Sequence, residues 1–185
     1  MRRSAVAAVA LLALAGCTGD EEEPGSTPQA SQFVPCPEQA QTAANGAELM
    51  PAVTLDCPAG GTLDLARAPG VPTLVNLWAT WCPPCRAELP VLQQVAEEAG
   101  DRVRIVGVIS KDGQPQAESF AEEIGIGFPS AFDGEGELMG ELGLNVLPFT
   151  YFLDADGGLV HTEVGEVSSA EELKGLLAEH LGVQL

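Results

Sequence analysis

The sequence predicts a layered α/β fold, a sheet with helices on both faces. Three features carry the prediction. Strand and helix patterns alternate as β-α-β, then a helical connection, then β-β-α, the order that builds a sheet flanked by helices. Thr73-Leu74-Val75-Asn76-Leu77-Trp78-Ala79 is apolar on both faces, which suits a strand at the centre of that sheet. Trp81-Cys82-Pro83-Pro84-Cys85 follows at once, with two thiols three positions apart where a helix begins.

The elements follow in chain order. Val53-Thr54-Leu55 and Leu63-Asp64-Leu65 read as short strands around the turn Pro58-Ala59-Gly60-Gly61. After the long apolar strand, a helix covers about residues 84–99. Pro83 or Pro84 fits its first turn, where no backbone donor is needed. Pro90 falls inside it and is expected to kink it. The next strand lies within residues 102–110, and a helix covers about 115–124. Phe128-Pro129 and Ala131-Phe132-Asp133 mark a short extended piece, and residues 137–142 a short helix. Residues 149–153 and 159–164 form a hairpin around the tight turn Asp154-Ala155-Asp156-Gly157-Gly158. The last helix starts at Ser168 or Ser169, because Ser168 with Glu171 and Ser169 with Glu172 both fit a capping box. Leu173, Leu176, Leu177 and Leu181 line one of its faces.

Residues 1–16 have the shape of a secretory signal peptide: Arg2 and Arg3, then an apolar run over 5–15 that is too short to span a membrane. The run ends Leu14-Ala15-Gly16-Cys17, which resembles a bacterial lipobox. That resemblance implies a lipid on Cys17, holding the protein at the extracytoplasmic face of the cell membrane with no transmembrane helix left. An ordinary cleavage site with an incidental cysteine is the alternative. Residues 17–32 then form a tether, with Asp20-Glu21-Glu22-Glu23 followed by Pro, Gly, Ser, Thr and Gln and nothing to pack a core. The folded domain is expected over 33–185.

The full chain carries 27 acidic and 8 basic residues, a net charge of −19. Without Arg2 and Arg3 the balance is 27 against 6, or −21. Such a surface repels phosphate backbones and excludes nucleic acid as a partner. It also repels anionic lipid, so membrane attachment rests on the lipid at Cys17.

Of five cysteines, Cys17 is explained by the lipobox and Cys82 with Cys85 by the C-x-x-C, which leaves Cys36 and Cys57 for each other. An exported location is oxidising enough to join them as a structural disulfide. Closing that loop stabilises by roughly 3 kcal/mol in the chain-entropy picture. Two small buried hydrophobes, or a second redox pair, are the other readings.

A C-x-x-C between a strand and a helix is a two-electron carrier that needs no bound cofactor. One thiol must be exposed and largely ionised, and unpaired N–H groups at a helix start favour the thiolate. Cys82 occupies that end and is assigned as nucleophile. Cys85, one turn in, resolves the mixed disulfide. A zinc site is disfavoured, since there is no second C-x-x-C and His161 and His180 lie far apart in sequence with no ligand spacing. Trp81 is read as a shield and docking surface for substrate, or else as a buried aromatic. Pro83 and Pro84 remove two donors and stiffen the loop. Glu88, three residues after Cys85 on the same helix face, is either a partly buried base with raised pKa that takes the Cys85 proton, or a solvated glutamate in an acidic protein. Leu147-Pro148 at the entry to an apolar strand indicates a turn.

Residues 75–90, from Val75-Asn76-Leu77-Trp78 through Cys82-Pro83-Pro84-Cys85 to Glu88-Leu89-Pro90, together with Leu147-Pro148-Phe149-Thr150-Tyr151-Phe152-Leu153-Asp154, resemble the thioredoxin-like family. Within it they resemble the membrane-anchored TlpA/ResA-type thiol-disulfide oxidoreductases. Asp156-Gly157-Gly158 and Val164-Gly165 also fit, and the resemblance covers about residues 50–181. It implies a three-layer sandwich with a mixed central sheet, an N-terminal strand extension, and a central insertion between Val108 and Leu147. It implies attack by Cys82, resolution by Cys85, a functional Glu88, and a cis Pro148 opposite the cysteines. There the Leu147 backbone pairs with an extended substrate. Many members reduce the cysteines of apocytochrome c before haem attachment, fed by a membrane electron donor. Cys36 and Cys57 depart from the common pattern, and the acidity leaves the preferred client open, because a basic one would be steered in.

The leading expectation is a lipid-anchored thiol-disulfide oxidoreductase acting on protein thiols and disulfides, as a reductant. A DsbA-like thiol oxidase is the nearest alternative, since direction depends on a potential that residue types do not fix. A peroxiredoxin-like peroxidase is disfavoured, because those enzymes place threonine three positions before the reactive cysteine and here Thr80 stands two before Cys82. Copper delivery would need a wider cysteine spacing and a histidine, for which His161 is the core candidate. A non-catalytic anchored scaffold is the remaining possibility.

Overall fold

A computed structural model describes Ser31 and residues 33–185. The expected signal peptide (1–16), Cys17 and all of the tether over 17–32 except Ser31 lie outside the described residues. The elements are β1 (Thr54–Asp56), β2 (Thr62–Asp64), β3 (Thr73–Trp78), α1 (Pro83–Ala99), β4 (Arg104–Ser110), α2 (Gln114–Ile124), β5 (Ser130–Asp133), α3 (Glu137–Glu141), β6 (Phe149–Leu153), β7 (Leu159–Val164) and α4 (Ala170–Leu181). A single 3-10 turn over Gly100–Arg102 takes the place of the expected start of β4.

The sheet has five strands in the order β5-β4-β3-β6-β7, and β1 and β2 form a separate antiparallel pair. β3 runs parallel to β4, and β4 to β5, while β6 is antiparallel to both β3 and β7. The sheet is therefore mixed, as the resemblance to the thioredoxin-like family implies. β3 lies at its centre and all six of its residues are buried, which is why it reads as apolar on both faces, interrupted by Asn76 alone between Leu74 and Trp78.

Two cores sit on either side. On one face Leu74, Trp78, Ile105, Ile109 and Phe152 of the sheet pack with Leu89, Leu92 and Val95 of α1, Ala117 and Ala121 of α2, and Leu173 and Leu177 of α4. On the other, Val75, Leu77, Val106, Val108 and Tyr151 pack with Leu55 and Leu63 of the β1–β2 pair and with Leu138 and Met139 of α3. Helices thus lie on both faces, but three long ones share one side. The hairpin extension and the five-residue α3 cover the other.

Local chemistry accounts for the boundaries. Pro83 and Pro84 both occupy the first turn of α1, and the helix runs through Pro90 to Ala99 without a break. α4 begins one residue after Ser169, whose Oγ accepts the Glu172 N–H at 3.2 Å. The Glu172 carboxylate reaches back past the cap to the Ser168 N–H at 2.8 Å and its hydroxyl at 2.7 Å. The β6–β7 turn closes on Asp154, whose Oδ1 accepts the N–H groups of Asp156 and Gly158. Gly157 has φ +89 there, and a Cβ on it would lie 2.8 Å from Ala44 Cβ, because the segment before β1 bridges to this turn at Asn45 and Leu49. Cys36 and Cys57 are joined by a disulfide with Cα atoms 6.0 Å apart, tying the segment before β1 to the turn after it.

Candidate active site

The site lies where the central strand hands over to α1. Cys82 is the N-cap of the helix and Cys85 its third residue, and the two are joined by a disulfide with a Cα separation of 5.3 Å. An α-helix leaves its first four N–H groups without partners. Here Pro83 and Pro84 have none to offer. The Cys85 N–H donates to Cys82 Sγ at 3.2 Å, and the Arg86 N–H to the Cys82 carbonyl at 3.1 Å. The prolines thus leave one backbone donor aimed at the first sulfur.

Cys82 is only 3% exposed and Cys85 fully buried. The expectation of an exposed first thiol is corrected in this disulfide form. As N-cap, the Cys82 side chain folds back over the helix start to meet the Cys85 N–H, and that hides it. Trp81 is 53% exposed, so it is not a buried aromatic. Its indole Nε1 donates to the Lys111 carbonyl at 2.9 Å, and the preceding Thr80 N–H donates to Asp112 Oδ2 at 2.6 Å. The loop after β4 therefore holds the residues leading into Cys82. Lys111 sits in that loop with φ 51, a left-handed conformation unusual outside glycine.

The Leu147-Pro148 peptide is cis. Neither the N–H nor the carbonyl of Leu147 joins a hydrogen bond within the described residues, while the Pro148 carbonyl accepts from Gly165. Val146 and Val164 beside this loop are both exposed.

Glu88 is fully buried, one helical turn beyond Cys85. Asn76 Nδ2 donates to its Oε1 at 2.7 Å and the Val167 N–H to its Oε2 at 3.1 Å. Burial pushes its pKa up to about 7 against the pull of these two bonds, with the nearby Glu166 carboxylate adding to the rise. A solvated glutamate is excluded by this burial. The same Asn76 Nδ2 donates to Thr150 Oγ1 at 3.0 Å. Asn76, Thr150 and the Val167 backbone were not singled out as partners from sequence. The one legible signal was a lone amide in the middle of an apolar strand.

His161 of β7 and His180 of α4, far apart in the chain, stack face to face with ring centroids 3.8 Å apart, and both rings contact the buried Phe152 edge-on. Glu163 lies 3.1 Å from His161 Nε2. Among the described residues no group of three or more His, Cys, Asp or Glu is arranged to hold a metal ion, and no helix is long and apolar enough to cross a membrane.

Comparison with known proteins places this geometry. The Redoxin family matches residues 44–177. The thiol:disulfide interchange protein DsbE of Escherichia coli is 38% identical over 111 residues, which cover 58% of this chain and 58% of that protein. The thiol-disulfide oxidoreductase ResA of Bacillus thuringiensis is 29% identical over 119 residues, 64% of this chain and 68% of that one. The chain thus spans somewhat over half the length of the DsbE relatives. Among solved structures, StoA from Bacillus subtilis is 30% identical with a TM-score of 0.58, covering 68% of this chain and 98% of its own. A secreted Mycobacterium tuberculosis disulfide oxidoreductase homologous to DsbE is 27% identical with a TM-score of 0.60, covering 69% and 96%. With a redox-type cysteine pair at a helix start, a mixed five-stranded sheet and a family match over most of its length, the chain belongs to the Redoxin family and has the thioredoxin-like fold related to DsbE, ResA and StoA.

Proposed function

We propose that the chain is a thiol-disulfide oxidoreductase acting outside the cytoplasm, as a reductant of protein disulfides. The observation that carries this is the Cys82–Cys85 disulfide at the start of α1, with the Cys85 N–H directed at Cys82 Sγ. The same N–H and the helix dipole favour a thiolate on Cys82 when the pair is reduced. That thiolate attacks a client disulfide, forming a mixed disulfide and releasing one client thiolate. Glu88 takes the proton of Cys85, and Cys85 attacks Cys82 Sγ. The client leaves with two thiols, two electrons richer, and the Cys82–Cys85 bond is restored. A buried carboxyl with pKa about 7 is matched to that proton transfer near neutral pH. Trp81, Leu147 and Pro148 form the client surface: an exposed indole beside the pair, and a backbone at Leu147 with a free donor and acceptor for an extended segment.

The cysteine pair of apocytochrome c, reduced from its disulfide, is the finer client reading, and a membrane electron donor re-reduces Cys82–Cys85. Both rest on the likeness to the TlpA/ResA-type proteins. The domain proper is 33–185, and Cys36–Cys57 is a structural bond, buried in the core on the sheet face opposite α1. Residues 1–16 act as signal, Cys17 carries the lipid, and 17–32 tether the domain to the membrane.

The test is the reduction potential of the domain over 33–185, with Cys82→Ser as control. A value well below the glutathione couple is expected of a reductant, each 30 mV being worth about 1.4 kcal/mol for this two-electron couple. A value near the strong oxidants reverses the direction. A Cys85→Ser variant is expected to accumulate client-linked mixed disulfides at Cys82.

A further inference from the structure

Asn76 is the only polar residue between Leu74 and Trp78 in the central strand, and it is fully buried. Its Nδ2 spends both hydrogens, one on Glu88 Oε1 at 2.7 Å and one on Thr150 Oγ1 at 3.0 Å. Its carbonyl Oδ1 has no partner among the described residues. A buried unpaired carbonyl opposes folding. Leucine has nearly the same shape and would fill the place without that penalty. Packing alone therefore does not explain an amide here. Its two donor bonds do, and they join three elements: α1, which carries both cysteines and Glu88; β3, at the centre of the sheet; and β6, which begins one residue after Pro148.

We propose that Asn76 is the positioning residue of the site: one amide, anchored on Thr150, fixes Glu88 Oε1 and stabilises the carboxylate form, and so sets the pH at which Glu88 receives the Cys85 proton. The inference rests on Glu88 as proton acceptor. Each Glu88 oxygen has one donor, Asn76 on Oε1 and the Val167 N–H on Oε2. These two bonds are what oppose the desolvation that drives the proton affinity of Glu88 up. Removing the amide removes one of them and leaves burial less opposed.

The test uses Asn76→Leu, with two readouts. The first is the Glu88 carboxyl carbon, followed by NMR against pH in the oxidised protein. The second is the pH profile of internal disulfide formation from a mixed disulfide on Cys82. In the unaltered protein the carboxyl titration is expected to inflect at about 7, and the rate profile to follow it. In N76L the carboxyl titration is expected to move up by about one pH unit, a tenfold gain in proton affinity for one lost charge-assisted bond. Some thermal stability is expected to be lost, because leucine leaves Glu88 Oε1 and Thr150 Oγ1 buried without their donor; the carboxyl titration is the readout that a purely structural role would not move. A folded N76L whose carboxyl titrates unmoved overturns the proposal. Should N76L fail to fold, Thr150→Val removes only the anchor of the amide. The same titration is then expected to move up by a smaller amount, and no movement overturns the proposal. The kinetic arm separates the two ideas. A Glu88→Gln profile identical to that of the unaltered protein removes Glu88 from the reaction, while the carboxyl titration still reads what Asn76 does to it.

Discussion

Burying Glu88 should make this protein lose stability as pH rises through the neutral range. The unfolded chain holds the Glu88 proton only up to about 4.5, whereas the folded protein holds it up to about 7. Between those values the folded state binds the extra proton, so the proton stabilises the fold. This stability is fully present below pH 4.5 and is lost as pH climbs through 7. The gap of two and a half pH units, at about 1.4 kcal/mol each, gives a loss of about 3 kcal/mol. With an excess of 19 negative charges, general repulsion also grows over part of this range, so the unaltered protein alone does not isolate the effect. The difference between it and Glu88→Gln does. The E88Q substitution brings a pH-independent penalty of its own: both sites around the carboxylate present donors, and one of them must now face an amide NH2, at about 1–3 kcal/mol. That offset is constant, and only the slope reports the carboxyl. Urea unfolding of both oxidised proteins from about pH 4 to about pH 8.5 reads it. The stability of the unaltered protein relative to E88Q is expected to fall by about 3 kcal/mol across the range, mostly above pH 5. A difference that stays flat refutes the reasoning.

Other outcomes follow from the same geometry. Glu166→Gln removes the outlying carboxylate that adds to the Glu88 shift, so the Glu88 titration should move down by less than Asn76→Leu moves it up, with the effect fading in high salt. Gly107→Ala should destabilise by about 1–3 kcal/mol in thermal unfolding, because a Cβ there meets Ser130 Oγ and Trp78 Nε1 at 2.8 Å. Ser169→Ala should cost about 1 kcal/mol through loss of the α4 cap, and Ser169→Gly only a few tenths. Replacing Cys36 and Cys57 by serine together should remove roughly 3 kcal/mol while leaving the Cys82–Cys85 potential in place, and a changed potential would mark them as redox-active.

Much of this architecture is legible in the amino-acid sequence. β3 reads from its apolar run because both its faces are buried. The β6–β7 hairpin reads from Asp154 and Gly157, and α4 from its serine cap. The cysteine pair is legible for the same local reason, since its chemistry needs only a helix start. What escaped sequence reading depends on residues that meet only in the fold. Glu88 reaches Asn76 across 12 residues and Val167 across 79, and Asn76 reaches Thr150 across 74. No local pattern encodes those distances, so the base was visible and the groups that tune it were not. His161 and His180 looked unrelated for the same reason, though β7 and α4 bring their rings into contact. The burial of Cys82 escaped because it follows from the direction its side chain takes as N-cap, which the motif leaves open.

Ionisation of Cys82 in the reduced protein, followed by thiolate absorbance and by alkylation rate against pH in the Cys85→Ser variant, probes the central idea at its root. The account predicts a midpoint clearly below the about 8.5 of an unperturbed cysteine, together with ready attack on the oxidised pair by outside thiols. A midpoint at the unperturbed value, with an oxidised pair inert to those thiols, would contradict it.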